Sequence, residues 1–364
     1  MPNRLQLLHD AGQSIWLDFI DRTILTNGEL ERRIRDDAVT GETTNPTIFE
    51  KALAEGPAYD DQLAALSADG LTEPQAIFEV IEADDVRTAC DIFRPVYDRT
   101  NGVDGYVSIE CSPGVANDAN ATIAEARRLW NSVARPNVMV KVPGTPDGVV
   151  AVRRLLADGI NVNITLLFSI DAYSTVIDAY LAGVQDRLRT GAPVDRIASV
   201  ASFFVSRVDT EIDKRLTAAD LKGKAAIANA KLAYALFQQK FSGALWDDLA
   251  RQGARVQRPL WASTSTKNPA YRDVMYVEQL IGPNTVNTMP VATIDAFRDH
   301  GETARTIDAD VAGARRLIQQ VEAAGVSMRE VTDKLLVDGL ASFQKSWDTM
   351  LAGLANKTRV VAAR

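Results

Sequence analysis

Asp18, Glu110, Lys141, Asn163 and Thr165 each stand in or at the end of a short apolar run whose residues alternate with them. In 137–142, Val138, Val140 and Val142 alternate with Met139 and Lys141, the sole lysine inside such a run. In 105–110, Val107 and Ile109 alternate with Tyr106, Ser108 and Glu110. In 160–166, Ile160, Val162, Ile164 and Leu166 alternate with Asn161, Asn163 and Thr165; in 15–19, Ile15, Leu17 and Phe19 alternate with Trp16 and Asp18. Successive side chains of a strand point to opposite faces. Each run therefore has one apolar face and one that carries a polar or charged group near its C-terminal end. An isolated buried charge costs on the order of several kcal/mol, so such groups are either paired or functional. The plainer reading is a self-satisfied network in which Lys141 pairs with Glu110 or Asp18 and only packs. Five such groups converging on one volume favour chemistry.

The residue types say which chemistry. A lysine inside an apolar barrel loses hydration that favours its ammonium form. The neutral amine attacks a carbonyl carbon and forms a Schiff base. A protonated imine is an electron sink, so a C–C bond one carbon away can break to give an enamine. Proton transfers then fall to carboxylates on neighbouring strands, Glu110 and Asp18. Asn45, Asn163, Thr165 and Ser202 are suited to hold the hydroxyls of a polyol. No step in this scheme needs a metal or a cofactor.

These residues need a frame that brings distant strand ends together. Apolar runs at 15–19, 37–40, 105–110, 137–142, 160–166, 197–204, 259–265 and 285–289 alternate with amphipathic stretches at 120–134, 171–189, 222–250 and 304–324. Strands alternating with helices imply βαβ units and a parallel sheet. Eight of them predict an α/β fold, a single (β/α)8 TIM barrel with additional helices over 57–99 and after Pro290. No linker, repeat or low-complexity segment interrupts residues 1–364, which reads as one domain. In such barrels the catalytic groups gather at the C-terminal ends of the strands.

Composition narrows the class further. The 364 residues are 46% hydrophobic and carry 48 acidic against 40 basic side chains, a net charge of −8. That balance lacks the basic stripe of a nucleic-acid partner, and no apolar run is long enough to span a membrane. Two cysteines, Cys90 and Cys111, exclude a disulfide framework, and Cys111 has outward parity. A reducing cytoplasm is the expected compartment. The two histidines, His9 and His300, lie outside the strand ends and read as surface residues. The turn at 143–148 lacks P-loop spacing. Trp16 and Trp261 share the inward parity and are expected to line the pocket.

Four segments carry a family resemblance. TTNPT at 43–47, VKVPGT at 140–145, GINVNITLLF at 159–168 and ASTSTKN at 262–268 together resemble the transaldolases. The resemblance runs from Trp16-Leu17-Asp18 to Thr285–Met289 and Pro290, and is greatest to the longer members carrying ASTSTKNPAY. It implies a metal-free class I mechanism acting on sugar phosphates, with Lys141 as the Schiff-base residue. It further implies that Glu110 is an acid/base working through a bound water held by Thr165, and that Asp18 removes the C4 hydroxyl proton. Asn45 and Asn163 match ligands of substrate hydroxyls. Ser202 and Arg207, with Ser265 and Lys267, fit the place where the family binds the distal phosphate. The rival readings are a fructose-6-phosphate aldolase-type lyase using the same lysine, and a non-catalytic barrel that binds a sugar phosphate.

Overall fold

The strands close into a parallel barrel in sequence order. They are β1 (Gln13–Leu17), β2 (Val39–Glu42), β3 (Val107–Glu110), β4 (Val138–Pro143), β5 (Val162–Leu167), β6 (Ser199–Phe204), β7 (Arg258–Ala262) and β8 (Thr285–Met289). The architecture is taken from a computed structural model that describes residues 3–54 and 56–362. Helices between consecutive strands cover the barrel, as expected of a (β/α)8 fold. The tight βα turns are set by capping: Thr145 accepts the Gly148 N–H at the start of the helix Pro146–Asp158, and Ser169 accepts that of Ala172 for the helix Ile170–Arg189.

Alternation places the side chains as the strand patterns require. Ile15, Leu17, Val107, Ile109, Val138, Val140, Val142, Val162 and Ile164 join the large apolar layer between barrel and helices. The opposite parity supplies a second cluster inside the barrel, including Trp16, Tyr106, Met139, Val200, Leu260 and Val286. Gly41 on β2 faces Trp16 so closely that a Cβ there would lie 2.6 Å from the indole, so only glycine lets β2 approach.

Four details differ from the pattern-based expectation. The second strand is Val39–Glu42, not 37–40, because Asp37 closes the preceding helix Glu29–Asp36. The stretch 222–250 divides into the helices Ala225–Lys240 and Ala244–Arg251 at Gly243, whose φ is +82°. Trp16 lies beneath the mouth rather than in it, and Trp261 faces the outer layer against Phe203, at 6.3 Å between rings, while its neighbour Leu260 points in. Leu166 breaks its strand's alternation. The β5–β6 register shifts between Ile164 and Leu167, and Leu166 takes a left-handed φ of +59° that turns it onto the mouth.

The extra helices also matter. Asp60–Ala68 and Pro74–Arg99 follow β2, and the 35-residue helix Met328–Ala362 closes the described chain. That last helix packs along Pro46–Ala54 and Asp60–Ala68 and crosses the C-terminal end of the barrel.

Candidate active site

A cavity of about 530 Å³ opens at the C-terminal end of the barrel. Asp18, Asn45, Glu110, Lys141, Thr165, Ser202, Arg207, Ser265 and Lys267 all line it, although they stand at or just beyond the ends of seven different strands, β1 to β7. Asn163 lies one layer deeper, with no exposed surface. It donates to Ser108 at 3.0 Å and accepts from Ser202 at 2.7 Å, so it fixes the Ser202 hydroxyl rather than walling the cavity.

Lys141 projects from β4 and is 8% exposed. Its Nζ donates to Glu110 Oε2 at 3.3 Å and to the Thr44 carbonyl at 2.9 Å. Glu110 reaches it because β3 and β4 stand in register, Glu110 beside Lys141. Lys141 is in turn beside Asn163 across the β4–β5 ladder, and Pro143 beside Thr165. The Thr44 carbonyl belongs to the chain that continues past β2, where the ladder to β3 holds a single register pair, Glu42 with Val107. Asp18 follows β1 and is half-buried; it accepts from Thr43 Oγ1 at 3.1 Å and from Asn45 Nδ2 at 3.3 Å. Thr43 is itself bonded to Thr288 of β8 at 2.8 Å.

The electrostatics follow from burial. Loss of hydration pushes the Glu110 carboxyl above the usual range, Lys141 opposes this, and Asp18 adds to it. Burial likewise raises Asp18, against the attraction of Lys141 and the hydrogen bonds from Thr43 and Asn45. Burial lowers the Arg207 guanidinium, only partly offset by Asp18. Arg207 stacks over the Phe204 ring at 5.1 Å and has no ion-pair partner among the described residues. Lys267 donates to Ser265 Oγ at 2.8 Å and likewise meets no carboxylate. The wall carries two carboxylates, Asp18 and Glu110, against four cations, Lys51, Lys141, Arg207 and Lys267. A formal excess of two positive charges in a chain of net −8 marks a site for an anion.

Several residues at or behind the wall carry little sequence signal. Thr43, Thr44 and Thr288 position Asp18 and Lys141; only the TTNPT segment points to the first two. Phe204, Ser263 and Leu166 also line the mouth, and Ser263, like Leu166, has a left-handed φ, +57°. Gly339, Ser342 and Phe343 come from the last helix and have no local signal at all. His9 and His300 are partly exposed and away from the cavity, and Cys90 and Cys111 are free and buried in the outer layer. Among the described residues no cluster of three or more His, Cys, Asp or Glu side chains is placed to hold a metal. No described helix is long and apolar enough to cross a membrane.

Comparison with known proteins bears on the whole chain. A family model described as Transaldolase/Fructose-6-phosphate aldolase matches residues 15–354. A transaldolase of Thermobifida fusca is 50% identical over 364 residues, covering 98% of this chain and 99% of that one. One of Acidothermus cellulolyticus is 48% identical, covering 97% and 96%. Transaldolase 2 of a Nostoc strain is 44% identical, covering 99% of both.

Proposed function

The chain belongs to the transaldolase/fructose-6-phosphate aldolase family and its activity is that of a transaldolase, and from that premise we propose that Lys141 is the residue through which the transferred carbons pass. The observation that carries this reading is a buried amine at the end of β4, 3.3 Å from a buried carboxylate and facing a cavity whose wall carries more cations than carboxylates.

The neutral amine of Lys141 attacks the C2 carbonyl of a ketose phosphate, sedoheptulose 7-phosphate or fructose 6-phosphate. The carbinolamine loses water, with the proton supplied from Glu110, and leaves a protonated imine. Asp18 takes the proton of the C4 hydroxyl. The C3–C4 bond breaks, its electron pair moves into the imine, and the aldose phosphate departs from the enamine. An acceptor aldehyde, glyceraldehyde 3-phosphate or erythrose 4-phosphate, is attacked by the enamine carbon, and its oxygen receives the proton from Asp18. Hydrolysis of the new imine releases the product ketose and the free amine. Thr165 lies on the next strand, suited to hold the water between Glu110 and the imine. Asn45 and Ser202, the latter held by Asn163, bind hydroxyls. Arg207, Ser265 and Lys267 bind the phosphate, whose negative charge answers the excess of cations. We further propose cytoplasmic residence and a place in the pentose phosphate pathway; the two free buried cysteines suit a reducing compartment.

Borohydride reduction in the presence of fructose 6-phosphate should trap an adduct on the peptide containing Lys141. Lys141→Met keeps the apolar stem, so the protein should fold while turnover falls by roughly four orders of magnitude or more, the scale of losing a covalent nucleophile. An adduct mapped to Lys51 or Lys267, or cleavage surviving in the folded variant, overturns the assignment. Products assayed with and without erythrose 4-phosphate separate transfer from release of free dihydroxyacetone.

A further inference from the structure

We infer that the side of the C-terminal helix that carries Gly339, Ser342 and Phe343 is a specificity-determining wall of the active site, one that sets the length of sugar phosphate accepted. The inference rests on the proposed reading of the site, which holds a substrate at two points. Its carbonyl carbon is fixed at Lys141 and its phosphate at Arg207 and Lys267. A sugar with one more carbon between these points cannot extend; it must bow sideways. What lies beside it then decides whether it fits.

Positions 339, 342 and 343 are spaced i, i+3 and i+4, so they share one face of the helix Met328–Ala362, and all three line the cavity. Gly339 sits far inside a 35-residue helix, where glycine is unfavourable relative to alanine. The contacts explain it. A Cβ at this position would lie 3.1 Å from Leu166 Cδ2 and 3.8 Å from Arg207 Nη1. The helix backbone thus leaves no room for a side chain against the residue after Thr165, and it passes beside the guanidinium of Arg207. Leu166 holds its left-handed φ of +59° at this contact, an arrangement that persists only when its surroundings impose it.

The same helix is clamped elsewhere. Thr47 and Ser346 share a hydrogen bond of 2.9 Å, Trp347 meets Phe78 edge-on at 5.2 Å, and Lys357 donates to the carbonyls of Leu53 and Gly56 at 2.8 and 2.7 Å. These contacts make it a fixed wall. Its cavity-facing side chains, by contrast, are left over: the Ser342 hydroxyl has no hydrogen bond and the Phe343 ring no aromatic partner among the described residues. A solvent-exposed hydroxyl beside a half-buried ring on the cavity wall supplies one donor and one steric limit.

The test compares kcat/KM for six- and seven-carbon ketose phosphates with one acceptor aldose. Phe343→Ala should raise the seven-to-six-carbon ratio five-fold or more, chiefly through KM, and Phe343→Leu should shift it in the same direction by less. Gly339→Ala should raise KM for both donors, because its methyl would crowd Leu166 at 3.1 Å beside the Arg207 guanidinium. Borohydride trapping is run on each protein with dihydroxyacetone, which lacks the phosphate. Adducts on Lys141 with altered length ratios support the wall. Adducts on Lys141 with ratios within two-fold of wild type in both Phe343 variants overturn the wall alone. No adduct on Lys141 of the wild-type protein overturns the Schiff-base reading and the wall with it. Should Phe343→Ala not fold, Phe343→Leu decides.

Discussion

The barrel interior holds charged side chains at both ends, and the two ends treat them differently. At the N-terminal end, Asp104 accepts from Trp16 Nε1 at 2.8 Å, Thr40 Oγ1 at 2.9 Å and Ser14, and forms an ion pair with Arg258 at 3.5 Å. Arg258 completes the set by donating to Ser14 at 2.7 Å and to the Val103 carbonyl at 3.0 Å. Both residues are less than 10% exposed. The chain satisfies these charges by itself, and the result is a plug. At the C-terminal end Glu110 and Lys141 are paired, but among the described residues Arg207 and Lys267 form no ion pair, Asp18 attracting both only from a distance, and the space before them is open. Buried charge alone therefore does not distinguish a site from a core network. What distinguishes it is charge that the chain has left for something else to meet.

That contrast predicts that changes at the C-terminal end cost rate and changes at the N-terminal end cost stability. The largest effect after the loss of Lys141 is expected at Glu110. Glu110→Gln preserves size but removes the proton, so turnover should fall by roughly 10²–10⁴-fold with little change in melting temperature. In the wild type, burial raises the Glu110 carboxyl, so it keeps the proton it donates above the ordinary carboxylate range, and a basic limb of kcat/KM should lie there. Activity that depends on this proton is then lost as pH rises through that raised value, and the limb should vanish in the variant. Near-normal turnover would return Glu110 to the class of the plug.

Arg258→Leu tests the other end. It leaves Asp104 buried without its cation, a loss of about 3–5 kcal/mol of stability. Measured well below its lowered melting temperature, kcat should match wild type. A fall in kcat without loss of stability would show that the two ends are coupled.

The alternation of apolar and polar residues makes both ends partly legible in the sequence. Val140-Lys141-Val142 and Val162-Asn163-Ile164 reveal which face is which, because a strand in a covered barrel has no third option. Leu166 escapes that reading because a bulge adds a residue that no periodic pattern announces. The second strand lies two residues beyond the apparent run because Thr40-Gly41-Glu42 looks polar, and its burial depends on neighbours from β1 and β3. Trp261 defeats the parity argument because a strand starting at Pro259 misses Arg258, which points inward and sets the alternation. The plug's Asp104 sits in a loop and the wall's Phe343 on a helix far along the chain; only tertiary packing joins either to the barrel.

The two cations proposed to bind phosphate, Arg207 and Lys267, should give a smaller and more selective effect. Arg207→Ala and Lys267→Ala should each weaken phosphorylated substrates by roughly 1.5–3 kcal/mol, about 10- to 150-fold in KM. Unphosphorylated fructose should barely notice either change. Unaltered KM for fructose 6-phosphate in both variants would mean that these cations are merely unpaired surface charge.

The smallest effect concerns a charge that belongs to neither end. Glu42 pairs in register with Leu17, whose parity is outward, so its side chain enters the layer between barrel and helices. It has no exposed surface, and neither carboxylate oxygen has a hydrogen-bond partner among the described residues. Burial pushes its carboxyl well above the usual range, and Asp85 and Asp21 push it further. The neutral acid is therefore the form the fold tolerates. In the unfolded chain the same group loses its proton near its ordinary value, so stability contributed by the neutral form declines as pH rises from there toward the raised folded value. Glu42→Met, similar in length and without a proton to lose, should stabilise the protein by about 1 kcal/mol near pH 8, less at pH 5, and leave kcat unchanged. Chemical denaturation at the two pH values reads the difference. A destabilised variant, or a gain that does not grow with pH, would show that Glu42 is engaged after all, and that the helix-covered side of β2 holds a satisfied charge like the plug rather than an orphan.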